Sequence, residues 1–191
     1  MTRIETDCVH AGVTPEPITG AIMTPIFQTS TYVQKEPGKA LLHDYSRSGN
    51  PTRDAVEASL AALEGAKWSY TFASGLAAAQ AVIQLLEPGS HILVSNDAYG
   101  GTGRLFRQLY AKYGLDFEFI DMRDVAGLAA RITDKTRLIW VETPTNPLLR
   151  IVDIEAIAAL RKGRDLKLLV DNTFSSPFLQ QPLSMGADLV L

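Results

Sequence analysis

Cysteine is almost missing from this chain. Cys8 stands alone, so no internal disulfide can form, and no Cys/His grouping has the spacing of a zinc site. Histidine is nearly as scarce: His10, His43 and His91 are far apart, and each reads as a surface or satisfied ring rather than a catalyst. Positive charge is short too. Lys and Arg number 18 against 21 Asp and Glu, a net charge of −3, and with no basic cluster this argues against a nucleic-acid footprint. There is no run of apolar residues long enough for a bilayer and no charged-apolar-small leader at the start, which places the expected protein in the cytoplasm. A Gly-x-Ser-x-Gly elbow is absent, so a serine hydrolase has little support. Gly101-Thr102-Gly103-Arg104-Leu105-Phe106 begins like a dinucleotide loop, but it lacks the third glycine and follows Tyr99 rather than a first strand, which argues against a nicotinamide enzyme.

What is present is an ordinary globular composition: 191 residues, 46% hydrophobic and 20% charged, enough for one good core at roughly 100–200 residues per domain. Residues 1–49 hold few periodic apolar segments and many turn formers (Gly12, Pro15, Pro17, Gly20, Pro25, Pro37, Gly38). They read as an extended arm that gains stability by lying on another subunit. A helix is predicted over Pro51–Glu64: Asn50 is an N-cap, Pro51 suits the first position, Val56, Leu60 and Leu63 share a face, and Gly65 is the stop.

From residue 69 onward short apolar runs alternate with helical patterns. Strands are predicted at 69–73, 92–95, 117–121, 138–142, 166–170 and 187–191, and helices at 76–86, 103–113, 125–132 and 154–162. Such alternation means right-handed βαβ units, hence an α/β fold with a mainly parallel sheet and helices on both faces. The expected organisation is an arm over 1–49 and a large domain over 50–191. Because the chain stops at Leu191 inside an apolar run, the large domain reads as incomplete at its C-terminal end.

The run Leu166-Lys167-Leu168-Leu169-Val170 ends in Asp171-Asn172-Thr173. A buried parallel strand delivers the residue after it to the rim where open α/β sheets bind ligands. A desolvated carboxylate at Asp171 needs a cation, which a metal, a lysine or a protonated ring nitrogen would supply. Ala73-Ser74-Gly75-Leu76 sits where a strand enters a helix, so it either cradles an anion such as phosphate on backbone N–H groups or serves helix–sheet packing alone. Glu142 and Asn146, around Thr143-Pro144-Thr145, reach the same rim, to hydrogen-bond a ligand or to pin the turn. Tyr99 offers an aromatic face for a flat ring, and Arg47 in the arm a fork suited to phosphate. Together these residues fit pyridoxal 5′-phosphate, with Asp171 keeping the pyridine nitrogen protonated so that the ring accepts charge from a carbanion. No metal is expected.

Five ordered motifs carry a resemblance: Asp44-Tyr45-Ser46-Arg47-Ser48-Gly49-Asn50-Pro51, Ala73-Ser74-Gly75-Leu76, Tyr99-Gly100-Gly101-Thr102, Glu142-Thr143-Pro144-Thr145-Asn146-Pro147 and Val170-Asp171-Asn172-Thr173-Phe174. The chain resembles the Cys/Met-metabolism pyridoxal-phosphate family of cystathionine γ-synthases, cystathionine γ- and β-lyases and methionine γ-lyases. The resemblance implies an aspartate-aminotransferase-like large domain (fold type I), and a homotetramer with active sites shared between subunits. It also implies a transsulfuration enzyme that eliminates or replaces the γ substituent of cystathionine or a related sulfur amino acid, with cystathionine β-lyase as the alternative.

Position by position, the resemblance makes Tyr45 and Arg47 phosphate ligands given to a neighbouring subunit. Ser74, Gly75 and Leu76 would hold the same phosphate, and Tyr99 would stack on the ring and act catalytically in proton transfer. Asn146 and Thr173 would contact the ring, and Asp171 its nitrogen. Asp44, Arg47, Tyr99, Arg104 and Glu142 would lie near the substrate. Two departures are visible. Gly101 stands where methionine γ-lyases carry a cysteine, and none of the chain's lysines stands in the Ser-x-x-Lys context of the family's cofactor-bonding lysine. The 191 residues alone are therefore expected to be inactive, and a reading of another class makes them an oligomerisation module for a full-length partner.

Overall fold

The computed structural model describes residues 3–191. The chain forms two compact units, one ending at Thr71 and the other covering Phe72–Leu191. The helix predicted over Pro51–Glu64 groups with the N-terminal segment, so the division falls at 71/72 and not at 49/50.

In the first unit lie α1 (Ile4–His10), the two-stranded antiparallel ribbon β1 (Gln34–Glu36) and β2 (Lys39–Ala40), and α2 (Pro51–Glu64). The predicted signals of α2 all operate. Asn50 Oδ1 accepts the Thr52 N–H at 2.9 Å, Pro51 opens the helix, and Gly65 closes it in the left-handed region at φ 66°. Asn50 also reaches back, its Nδ2 donating to the Phe27 carbonyl at 3.0 Å, while the Thr52 hydroxyl donates to the Pro25 carbonyl at 2.9 Å. Polar ties of this kind hold the segment together, because none of its described residues is buried. Ile18, Ile22, Ile26, Val33, Leu41 and Leu42 all stand exposed.

The second unit is α/β. It comprises α3 (Gly75–Ile83), β3 (His91–Ser95), α4 (Gly100–Arg104), β4 (Asp116–Ile120), α5 (Val125–Arg131), β5 (Thr136–Glu142), α6 (Ile154–Ala159), β6 (Lys167–Asp171), α7 (Ser176–Leu179) and β7 (Leu189–Val190). The five strands run parallel in the order β4-β3-β5-β6-β7.

Alternate residues of each strand leave opposite faces of the sheet. Leu93, Ile139, Val141, Leu168 and Val170 pack with Leu128 of α5 and with Ile154 and Ile157 of α6. Ile92, Val94, Leu138, Trp140 and Leu169 pack with Ala79 and Ile83 of α3 and with Phe106. Helices thus cover both faces, as the alternation of the sequence predicts.

Two elements differ from expectation. Residues 69–73 form no strand. The Ser69 hydroxyl donates to the Glu57 carbonyl at 2.6 Å and the Thr71 N–H to the Glu57 carboxylate at 2.9 Å, so this segment bonds to α2 instead of to a sheet neighbour. The helix predicted over 103–113 starts earlier, at Gly100, and then changes pitch: a π-helical turn over Leu105–Leu109 and a 3-10 turn over Tyr110–Tyr113 follow α4. The change of pitch falls in Leu105–Leu109, whose Leu, Arg and Gln residues favour a regular α-helix, so packing decides the local pitch. Phe106 is fully buried, stacked on Phe117 at 4.8 Å between centroids and edge-on to Trp140 at 5.1 Å.

Phe106 therefore anchors the far side of that core. Phe106→Ala is expected to lower unfolding stability by about 3–5 kcal/mol, whereas Tyr113→Ala, at an exposed ring, changes it by no more than about 0.5 kcal/mol. Urea titration of both variants checks this, and equal effects would contradict the assignment of the core.

Candidate functional site

Both β5 and β6 end in a carboxylate, and the register pairs them: Glu142 lies beside Asp171. Paired residues of parallel strands face the same way, so both acids continue the face of Trp140 and Leu169, toward α3 and Phe106. They are 5% and 7% exposed respectively. Burial raises the pKa of each. For Glu142 burial is the largest cause, Asp171 and Asp97 add to it, and N–H groups of Tyr99 and Asn146 oppose it, leaving it pushed up to about 6. Asp171 is raised by burial against the Thr173 hydroxyl and N–H, which donate to its Oδ1 at 2.6 and 3.1 Å. Among the described residues, its Oδ2 accepts no hydrogen bond.

A cleft of about 360 Å³ opens over these acids. Ser74, Gly75, Leu76, Tyr99, Thr102, Glu142, Asn146, Asp171, Thr173 and Phe174 line it. The start of α3 lines it too, where Ser74 caps the helix by accepting the Ala77 N–H on Oγ at 3.1 Å. The N–H groups of Gly75 and Leu76, the first two helical positions, have no acceptor within the helix. That end attracts an anion. Tyr99 stands at the entry to α4, 46% exposed. Its ring folds over Gly101, where a Cβ would lie 2.4 Å from Cε1, so a side chain at 101 would displace the ring. A second cleft, of about 530 Å³, lies at the opposite ends of β5 and β6 among Arg137, Lys162, Arg164 and Asp165, and holds none of the predicted residues.

Of the predicted residues, Ser74, Gly75, Leu76, Tyr99, Glu142, Asn146, Asp171 and Thr173 therefore meet in one cleft. Arg104, exposed at the end of α4, does not line it. Asp44, Tyr45 and Arg47 belong to the first unit and form a cluster of their own. Arg47 Nη2 donates to Tyr45 Oη at 2.8 Å, its guanidinium lies 5.2 Å from the ring centroid, and Asp44 accepts the Tyr45 N–H at 2.7 Å. The Ser48 hydroxyl and that N–H hold the Asp44 carboxyl below its ordinary range.

Several supporting residues were not singled out as site residues from sequence. Ser95 Oγ accepts the Glu142 N–H at 3.1 Å, and the Thr145 hydroxyl donates to Asp97 at 2.6 Å. Gln180 Nε2 donates to Asn172 Oδ1 at 2.8 Å and to the Thr143 carbonyl at 3.1 Å. Ser95 had a signal, a hydroxyl closing an otherwise apolar strand; Gln180 had none, since its partners are distant in sequence. Among the described residues no group of three or more His, Cys, Asp and Glu could hold a metal ion.

The cleft thus has an anion-attracting end and, across it, a buried carboxylate with an unclaimed oxygen, with a tyrosine beside them. A flat ring bearing a cationic nitrogen and an anionic tail answers both ends at once, which is the demand met in pyridoxal 5′-phosphate-dependent enzymes. The chain belongs to the Cys/Met metabolism PLP-dependent enzyme family, whose model matches residues 5–191. It is 48% identical over 186 residues to a probable cystathionine γ-synthase of Herpetosiphon aurantiacus, covering 97% of this chain and 58% of that protein. It is 46% identical over 191 residues to a cystathionine β-lyase of Lactococcus lactis, covering 100% and 50%. The crystal structure of a cystathionine γ-lyase from Lactobacillus plantarum complexed with L-serine superposes with a TM-score of 0.95 at 46% identity, over 99% of this chain and 49% of that one. The chain spans about half the length of the curated relatives it matches.

Raised carboxyls have a consequence for stability. The folded chain holds protons on Glu142 and Asp171 that the unfolded chain releases. The stability they contribute is complete below the ordinary carboxylate pKa and is lost as pH rises through the folded values. For Glu142 that window runs from 4.5 to about 6 and is worth roughly 2 kcal/mol. Without ligand, the melting temperature is expected to fall across this window and to fall less in Glu142→Gln. Thermal melts between about pH 4 and 7 test it, and a rise over the window that the substitution leaves unchanged would contradict it.

Proposed function

We propose that this chain is the cofactor-binding half of a transsulfuration enzyme, acting on cystathionine or a related sulfur amino acid by γ-elimination or γ-replacement. The observation that carries the reading is the buried Asp171, with an oxygen that accepts no hydrogen bond among the described residues, in one cleft with the open start of α3. Bound there, pyridoxal 5′-phosphate supplies an electron sink for charge developing on the α carbon of an amino acid.

The chain's own residues divide the remaining work. Asp171 keeps the ring nitrogen protonated, and the N–H groups of Gly75 and Leu76, with the Ser74 hydroxyl, bind the phosphate. Tyr99 would contact the ring and move protons at the substrate, and Asn146 and Thr173 would contact the ring. Among the described residues no lysine lines the cleft, and we propose that the 191 residues alone have no turnover. The first unit, with no described residue buried and its exposed Tyr45–Arg47 pair, supports an assembly in which it lies on a neighbouring subunit and lends those two residues to that subunit's phosphate. A homotetramer in the cytoplasm is the state we propose. No helix of the described residues is long and apolar enough to cross a membrane.

A second reading, cystathionine β-lyase, is favoured by the 46% identity to the Lactococcus protein of that name. The two differ in which C–S bond of cystathionine breaks, and so in the oxo acid released: four carbons for γ cleavage, three for β. Assay of the full-length protein and the cofactor with cystathionine, with the oxo acids separated chromatographically, decides between them; a parallel assay with cysteine and an O-acylhomoserine, whose carboxylate leaves as the cysteine sulfur bonds the γ carbon, tests γ-replacement, and no consumption of substrate in either would refute both. Asp171→Asn is expected to lower turnover by at least about a hundredfold, since a neutral amide leaves the ring nitrogen without a counter-charge.

A further inference from the structure

The Glu142 carboxylate was expected to meet substrate, yet both its oxygens are already engaged by backbone. Oε2 accepts the Tyr99 N–H at 2.6 Å, and Oε1 accepts the Asn146 N–H at 2.8 Å. Tyr99 enters α4 and Asn146 lies in the turn after β5, so one buried side chain ties two separate loops. A second tie joins the same loops: the Thr145 hydroxyl donates to Asp97 Oδ2 at 2.6 Å while its oxygen accepts the Arg150 N–H at 2.9 Å. Glu142 is itself fixed, its own N–H donating to Ser95 Oγ on β3.

We propose that Glu142 is a positioning residue: its two carboxylate oxygens set the spacing between Tyr99 and Asn146, and only the ionised form makes both bonds. This deepens the reading of the cleft as a pyridoxal-phosphate site and rests on that reading for its consequence, the gap into which a flat ring fits. A carboxylate suits the task because two N–H groups converge on it and need two acceptors. An amide offers one oxygen and turns an NH2 toward the other N–H; a carboxylic acid likewise gives up one acceptor to an O–H.

Ionisation of Glu142 is opposed first by its burial and then by the acids around it. Asp171 of β6 stands beside it and Asp97 behind it, both acids. Among the charged groups facing this cluster, Arg150 is turned to Asp97, at 3.8 Å. The tie consequently loosens near pH 6, within reach of mild acidification.

The test is amide hydrogen exchange on the full-length protein without cofactor, resolved at Tyr99 and Asn146, alongside the dissociation constant for pyridoxal 5′-phosphate. In Glu142→Gln at least one of the two amides is expected to exchange about tenfold faster, with β3 and α3 unchanged, and cofactor affinity to drop by a similar factor. In the native protein, protection of the two amides, corrected for intrinsic exchange, should fall together below about pH 6. That measurement needs no variant, so it decides the matter should Glu142→Gln not fold. Unchanged exchange at both amides in a folded variant, or protection that stays flat in the native protein from pH 7 to 5, overturns the proposal. If the amides respond while the native protein binds no pyridoxal 5′-phosphate, the functional reading fails and the tie stands; if the cofactor binds and the amides do not respond, the tie alone fails.

Discussion

Two carboxylates, side by side at the ends of adjacent buried strands, impose the constraint on which the rest of this structure depends. Leaving such groups ionised and unpaired in an apolar setting costs several kcal/mol each (an order-of-magnitude figure). The chain resolves the two cases differently. Glu142 is answered from within, by the N–H groups of Tyr99 and Asn146. Asp171 is answered only in part: Thr173 serves one oxygen, and the residue lines the cleft. Glu142 thus has both oxygens held by backbone, whereas one oxygen of Asp171 has no donor among the described residues.

The sheet makes this arrangement possible. Parallel register puts Glu142 and Asp171 at one level, and strand alternation turns both toward α3 and Phe106, away from α5 and α6. The start of α3 then lies across the cleft from the acids. The apolar residues beneath, Trp140 and Leu169 among them, are fully buried, so the floor under the acids has little room to shift. A rigid floor and a short, charged rim are what a cofactor with a cationic ring and an anionic tail requires.

The two units contrast in how they are held. Phe72–Leu191 has a closed core on both faces of its sheet, whereas the segment ending at Thr71 relies on capping and loop hydrogen bonds around Asn50 and Thr52 and leaves many aliphatic side chains in solvent. A segment so built gains most of its stability from a surface that covers it. The same segment carries Tyr45 and Arg47, polar groups that face each other across an exposed turn. Apolar cover and an exported phosphate-binding pair are two sides of the subunit assembly proposed above.

Much of this was determined by the sequence itself. Hydrophobic runs alternating with amphipathic stretches are local patterns, and they dictated the parallel α/β sheet. Asn50, Pro51 and Gly65 act on their own neighbours, and they bounded α2 at both ends. Asp171 and Ser74-Gly75-Leu76 were legible because each stands where a run of one kind gives way to another. Other features depend on which distant segments meet, and only the tertiary structure decided them. Residues 69–73 have the composition of a strand, yet bond to Glu57. The pitch of the segment after Arg104 follows the burial of Phe106, against its own propensity. Glu142, besides lining the cleft, accepts the Tyr99 N–H in a bond that spans 43 residues. No local pattern encodes a bond of that length; it exists only because parallel strands bring their ends to one rim.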